Sequence, residues 1–138
     1  MIDLLNRRSR VYVAASPPPL VAAAAAAAAL RLARTEPELR QRLRANIASV
    51  RAGFRALGWE LDEIPAPITC LRARPGIDLG KLKDALFARG IATAHVTTYS
   101  STPPGGALRV AVFATHSAEQ IDRLLSAAQD ILTTGAAQ

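Results

Sequence analysis

One cysteine, two lysines and two histidines in 138 residues leave little material for several common chemistries. Cys70, standing alone, excludes an internal disulfide and fits a reducing compartment. It sits midway along a strand-like run, where a cysteine reads as a small buried apolar residue rather than a reactive thiol. Together with His95 and His116 it has no metal-ligand spacing, and the chain has neither a Gly-rich phosphate loop after a strand nor a nucleophile elbow. Aromatic residues make up 4% of the chain, and Tyr12, Trp59 and Tyr99 are scattered rather than interleaved with the arginines, so a single-strand stacking platform is not expected. The apolar run from Leu20 to Leu30 falls short of the roughly 20 residues a spanning helix needs. No membrane partner is expected. Arg7-Arg8 ahead of an apolar stretch resembles a twin-arginine export signal, but Pro17, Pro18 and Pro19 interrupt that stretch and Arg31 and Arg34 close it early. The expected location is therefore cytoplasmic.

What the chain does have is apolar residues over half its length and a net charge of +6. The length suits one domain with a modest core. The positive charge comes from arginine, Lys81 and Lys83 being the only lysines. Arginine and alanine richness of this kind does not by itself make a nucleic-acid interface, and no nucleic-acid partner is expected.

Residues 2 to 10 predict a short basic helix, and Tyr12 to Ala15 an extended segment. Ser16 then reads as the cap of a helix that carries the prolines in its first turn and continues through the alanines to residue 34. Thr35 with Glu38 predicts a capping box. Leu39, Leu43, Ile47, Val50, Phe54 and Leu57 recur every three or four residues and mark one apolar stripe down a long helix that stops at Gly58. Arg40, Arg44, Arg51 and Arg55 fall opposite that stripe and read as a solvated face. Strands are expected at 59–61, 68–73, 91–96 and 108–114. Between them Asp78 caps a helix closed by Gly90, and Ser117 with Gln120 opens the last helix through a second capping box. The resulting order predicts an α+β fold, a two-layer sandwich of mainly antiparallel sheet with helices on one face, preceded by a helical arm. The boundary falls between an arm at 1–34 and a domain at 35–138.

Arg109 is the odd residue in this pattern. It stands at the start of an apolar strand, just after a turn made by Pro103, Pro104, Gly105 and Gly106. A guanidinium there either faces solvent, alone or in a surface ion pair, or presents its planar fork to a carboxylate. His116 precedes a helix cap and suits local hydrogen bonding at the helix start. His95, near the end of a strand, reads as a half-buried structural residue.

The run Leu108-Arg-Val-Ala-Val-Phe-Ala-Thr-His-Ser-Ala-Glu-Gln-Ile-Asp-Arg-Leu resembles the C-terminal signature of the α-oxoamine synthases. These are fold-type I pyridoxal-phosphate enzymes such as 8-amino-7-oxononanoate synthase, glycine C-acetyltransferase, 5-aminolevulinate synthase and serine palmitoyltransferase. Asn6-Arg-Arg-Ser-Arg-Val-Tyr-Val-Ala-Ala-Ser-Pro-Pro-Pro resembles the segment joining that family's cofactor domain to its C-terminal domain, and Glu36-Pro-Glu-Leu-Arg-Gln-Arg-Leu with Leu57-Gly-Trp resembles the helix that follows. The resemblance implies an acyltransferase that condenses an amino acid with an acyl-CoA, and an active site at a homodimer interface. It implies that Arg109 binds the substrate carboxylate and that Ser16 contacts the cofactor phosphate. Ala14, Ala15 and Ala107 depart from the family pattern, and the turn before Arg109 is a residue shorter. The lysine that holds the cofactor covalently lies, in the family, upstream of the matching region, and neither Lys81 nor Lys83 has its surroundings. The chain thus looks like the C-terminal third of such an enzyme. It would bind no pyridoxal phosphate covalently and be inactive alone, needing a lysine-bearing domain or second subunit. A free-standing, non-catalytic interaction protein on the same domain is the alternative.

Overall fold

A computed structural model describes residues 2–8, 19–98, 104–135 and 137, and divides the chain into two compact units, Met1–Glu36 and Pro37–Gln138. Ser16 and the extended segment expected at 12–15 lie outside the described residues, as does part of the turn before Arg109.

The first unit holds α1 (Ile2–Arg8) and α2 (Leu20–Thr35). The start of α2 differs from expectation. Its N-cap is Pro19, with φ −53° and ψ 135°, and the first helical residue is Leu20; Pro17 and Pro18 lie outside the described residues. Thr35 is likewise no N-cap: its hydroxyl donates back to the Arg31 carbonyl at 3.0 Å, within the last turn of α2. The helix stops because Pro37 follows. A residue before proline is pushed out of the helical region, and Glu36 has φ −119° and ψ 75°. No residue of α2 is buried.

Pro37 then opens α3 (Pro37–Ala56), a position where its missing N–H costs nothing. The second unit continues with β1 (Ile68–Arg72), α4 (Leu79–Ala88), β2 (Ala94–Val96), β3 (Ala107–Ala111) and α5 (Ala118–Thr133). Its three strands form one antiparallel sheet in the order β1-β3-β2, with β3 in the centre. Ile47, Val50 and Phe54 of α3, Leu82 and Leu86 of α4, and Ile121, Ala128 and Ile131 of α5 pack into one core with Leu71, Leu108 and Val110 of the sheet. All the helices of this unit that reach the sheet therefore cover a single face, as the two-layer α+β reading expects. At Gly53 a Cβ would run into the side chain of Leu125, so the missing side chain is what lets α3 and α5 approach.

The caps expected at Asp78 and Ser117 form. Asp78 accepts hydrogen bonds from the N–H groups of Gly80 and Lys81 at 2.7 and 3.0 Å. Ser117 and Gln120 close a reciprocal capping box at the start of α5.

Two further expectations fail for physical reasons. No strand forms at 59–61. Trp59 is instead buried by its side chain, which meets Phe54 edge to face at 5.8 Å, donates its indole N–H to the Arg72 carbonyl at 3.2 Å, and carries the Arg74 guanidinium 4.0 Å above its ring. The segment after it is held by Arg55, whose Nη2 donates to the Leu61 carbonyl and to Glu63 at 3.0 Å, rather than by a ladder. Arg51 is not on a solvated face either. It is 8% exposed, and its Nη2 is buried with no hydrogen-bond partner among the described residues. Ile47 and Phe54, one turn to either side of it, are both core residues.

Candidate functional site

A β-strand sends alternate side chains to opposite faces. Along β3 this puts Leu108 and Val110 into the core, while Ala107, Arg109 and Ala111 share the face that the helices leave open. On β1 the exposure pattern alternates in step: Thr69 and Leu71 point inward, and Ile68, Cys70 and Arg72 outward. Cys70 is therefore exposed, which corrects the buried reading its apolar surroundings suggested. In the sheet register Arg109 stands directly between Cys70 of β1 and Ala94 of β2. The one cation of the central strand thus has small residues as its two direct cross-strand neighbours, with Ile68, Arg72 and Val96 diagonal to it on the same face.

Two glycines set the entry to this strand. Gly105 and Gly106 have φ of +84° and +82°, in the left-handed region that favours glycine. A Cβ on Gly106 would lie 2.7 Å from both His95 Nε2 and the Val96 carbonyl oxygen, so the chain passes β2 with no room for a side chain. The Gly106 carbonyl accepts from Ala73 N–H at 3.1 Å, tying the same turn to the end of β1. At the far end, Val112 N–H donates to the Pro67 carbonyl at 2.8 Å.

Arg109 is half-buried, and among the described residues its guanidinium makes no hydrogen bond or ion pair. Arg72, diagonal to it on the same face, is paired: its Nη2 lies 3.2 Å from Asp62. The geometry leaves Arg109 able to receive an anion. It does not bring the chain's amines to that anion. Lys81 and Lys83 both belong to α4, whose buried stripe of Leu79, Leu82 and Leu86 packs on the sheet's other face, and Lys83 is 2.7 Å from Asp84. The residues beside Arg109 therefore do not make a covalent seat for pyridoxal phosphate, and Ser16 lies outside the described residues.

The histidines have structural work. His116 Nδ1 accepts the Phe113 N–H at 3.3 Å, and Asn46 donates to the Phe113 and His116 carbonyls at 2.9 and 3.0 Å, fixing the turn before α5. His95 is half-buried, with Nε2 3.4 Å from the Gly105 carbonyl. A cavity of about 320 Å³ opens near this turn, lined by Thr93, Val112, His116, Ile121 and Arg123 among others. Arg123 there donates to the carbonyls of Arg89 and Gly90 at 3.2 and 3.3 Å, whereas the Thr93 hydroxyl is buried with no hydrogen-bond partner among the described residues. Among the described residues no group of side chains could hold a metal ion, and no helix is long and apolar enough to cross a membrane.

A three-stranded antiparallel sheet covered on one face by helices has counterparts among known proteins. Residues 1–127 match the aminotransferase class I and II family, and the chain belongs to it. Within that family it is similar to 8-amino-7-oxononanoate synthases: it is 38% identical over 130 residues to the enzyme of Methylococcus capsulatus and 35% identical over 133 residues to that of Nitrosococcus oceani. These alignments cover 94% and 96% of the chain but 34% and 35% of the relatives, so the chain spans about a third of their length. Among solved structures, a serine palmitoyltransferase from S. paucimobilis with a bound PLP–myriocin aldimine matches 96% of the chain at a TM-score of 0.81 and 24% identity, covering 34% of that protein. The 8-amino-7-oxononanoate synthase of Francisella tularensis matches 96% of the chain at a TM-score of 0.72 and 22% identity, covering 39% of its length. The α+β architecture is thus that of the corresponding region in fold-type I enzymes.

Proposed function

We propose that the chain acts as the C-terminal domain of a pyridoxal-phosphate-dependent acyltransferase that joins an amino acid to an acyl-CoA. Its own contribution is Arg109, which binds the amino acid's carboxylate. The observation that carries this reading is a guanidinium in the middle of the open sheet face with no partner among the described residues. A guanidinium matches a carboxylate with two parallel N–H···O bonds, which fixes orientation as well as affinity. Held that way, the substrate's reacting carbon is positioned by the domain while the chemistry proceeds elsewhere. The cofactor, when bound, supplies the electron sink that no side chain provides. The lysine that would hold it belongs to the rest of a longer protein or to a second subunit, and Ser16 would contribute to its phosphate. On this reading the 138-residue chain alone does not catalyse the condensation, and the working form is an assembly such as a dimer.

The test is steady-state kinetics of the enzyme reconstituted with its lysine-bearing part. Arg109→Ala is expected to raise the KM for the amino acid about 30-fold or more, since removing one partner of a desolvated charge pair costs about 2–5 kcal/mol. An unchanged KM would sink the assignment. A non-catalytic interaction protein is the second reading, favoured by α2, where Leu20 and Val21 are 85% and 82% exposed and nothing is buried. Stable capture of a full-length family member through residues 19–35, without any change in its turnover, would support it.

A further inference from the structure

Resting on the reading of Arg109 as an anion partner, we propose that Cys70 and Ala94, its two direct cross-strand neighbours, determine what that guanidinium accepts. The seat they frame takes a single carboxylate-sized anion. Directly opposed residues in an antiparallel pair have Cβ atoms about 5 Å apart, so whatever stands at 70 and 94 borders the space an anion would use. Both are small, both are exposed, and Ala107 and Ala111, two residues either way along β3, are small as well. A leucine or phenylalanine at 70 or 94 would occupy the approach to the guanidinium. The diagonal cation, Arg72, does not widen the seat into a site for a dianion, because Asp62 already neutralises it.

The single thiol makes the seat measurable in the chain as it stands. Iodoacetate and iodoacetamide alkylate a cysteine by the same displacement: the thiolate sulfur forms the S–C bond as the C–I bond breaks, and iodide leaves with the bonding pair. They differ in carrying a carboxylate or a neutral amide. The ratio of their rates at Cys70 therefore cancels differences in exposure and thiol ionisation and reports on captured charge. Arg109→Ala is expected to lower the iodoacetate-to-iodoacetamide ratio about 3-fold, the Coulomb effect of one unit charge roughly 6 Å away in water. Arg109→Lys should keep most of the ratio, and Arg72→Ala should change it less than Arg109→Ala does. A ratio that Arg109→Ala leaves unchanged overturns the seat.

In the reconstituted enzyme, Cys70→Leu is expected to raise the amino-acid KM several-fold more than Cys70→Ala does, with a smaller change in kcat. Equal KM values for Cys70→Leu and Cys70→Ala also overturn the proposal. The two readings fail separately. A charge-dependent alkylation ratio with an Arg109-independent KM would reject the amino-acid assignment and keep the anion seat; an Arg109-dependent KM with a flat ratio would reject the seat and keep the assignment.

Discussion

Leu108 and Arg109 are adjacent in sequence, and the fold gives them opposite surroundings. Leu108 is fully buried at the centre of the sheet, while Arg109 is half-buried on the face without helices. Truncating each to alanine therefore separates folding from binding. Leu108→Ala removes the transfer energy of three buried carbons and leaves a cavity against a well-packed core, a loss of about 2–5 kcal/mol. Arg109→Ala removes no hydrogen bond or ion pair among the described residues and should change stability by about 0.5 kcal/mol at most. For a unit of this size each kcal/mol moves Tm by about 4–8 °C, so the two variants are expected to differ by at least about 6 °C. Trp59, the only tryptophan and 4% exposed, reports unfolding through its fluorescence in a urea titration. Should Arg109→Ala prove as destabilising as Leu108→Ala, the strand would not divide into a structural and a functional face, and the case for an anion site would lose its basis.

Gly106→Ala is expected to destabilise the unit and broaden the resonances of β2 and β3, because its Cβ would meet the Val96 carbonyl at 2.7 Å and its φ of +82° disfavours a side chain; a native-like stability curve would show that the turn relaxes freely. The Asp78 carboxyl is held below the usual carboxylate range by the Lys81 and then the Gly80 N–H groups. A group whose folded pKa is depressed contributes stability that is present above its unfolded value, about 3.9, and is lost as pH falls through the folded one. Wild type should therefore lose stability between about pH 4 and lower values more steeply than Asp78→Asn, which keeps a capping oxygen but no titration; parallel acid limbs in the denaturation midpoint would contradict this.

Several local features were legible in the sequence, the end of α2 at Thr35 being an exception, and non-local ones were not. Asp78, Ser117 and Gln120 announced their helices because a cap is made within three residues. The stripe on α3 was legible for the same reason, yet Arg51 was not, because helical spacing gives a residue's angle around the axis and not the width of what covers it. The 59–61 segment has strand-like composition, but its tryptophan is anchored through tertiary contacts to Phe54, Arg72 and Arg74. Arg109 stood out as a charge in an apolar run. Its neighbours did not, since a register that sets Cys70 and Ala94 beside it joins positions far apart in the chain. The exposure of Cys70 was hidden likewise: only the pairing shows which half of β1 faces the helices.

The alternation along β3 also bears on how such a domain changes over generations. On the reading proposed above, Cys70, Ala94 and Ala111, exposed beside Arg109 and outside the core, are positions where variation would alter what is recognised at little cost to folding. Selection for a new acidic ligand has a short list of places to act, and the hydrophobic layer one residue away can stay as it is.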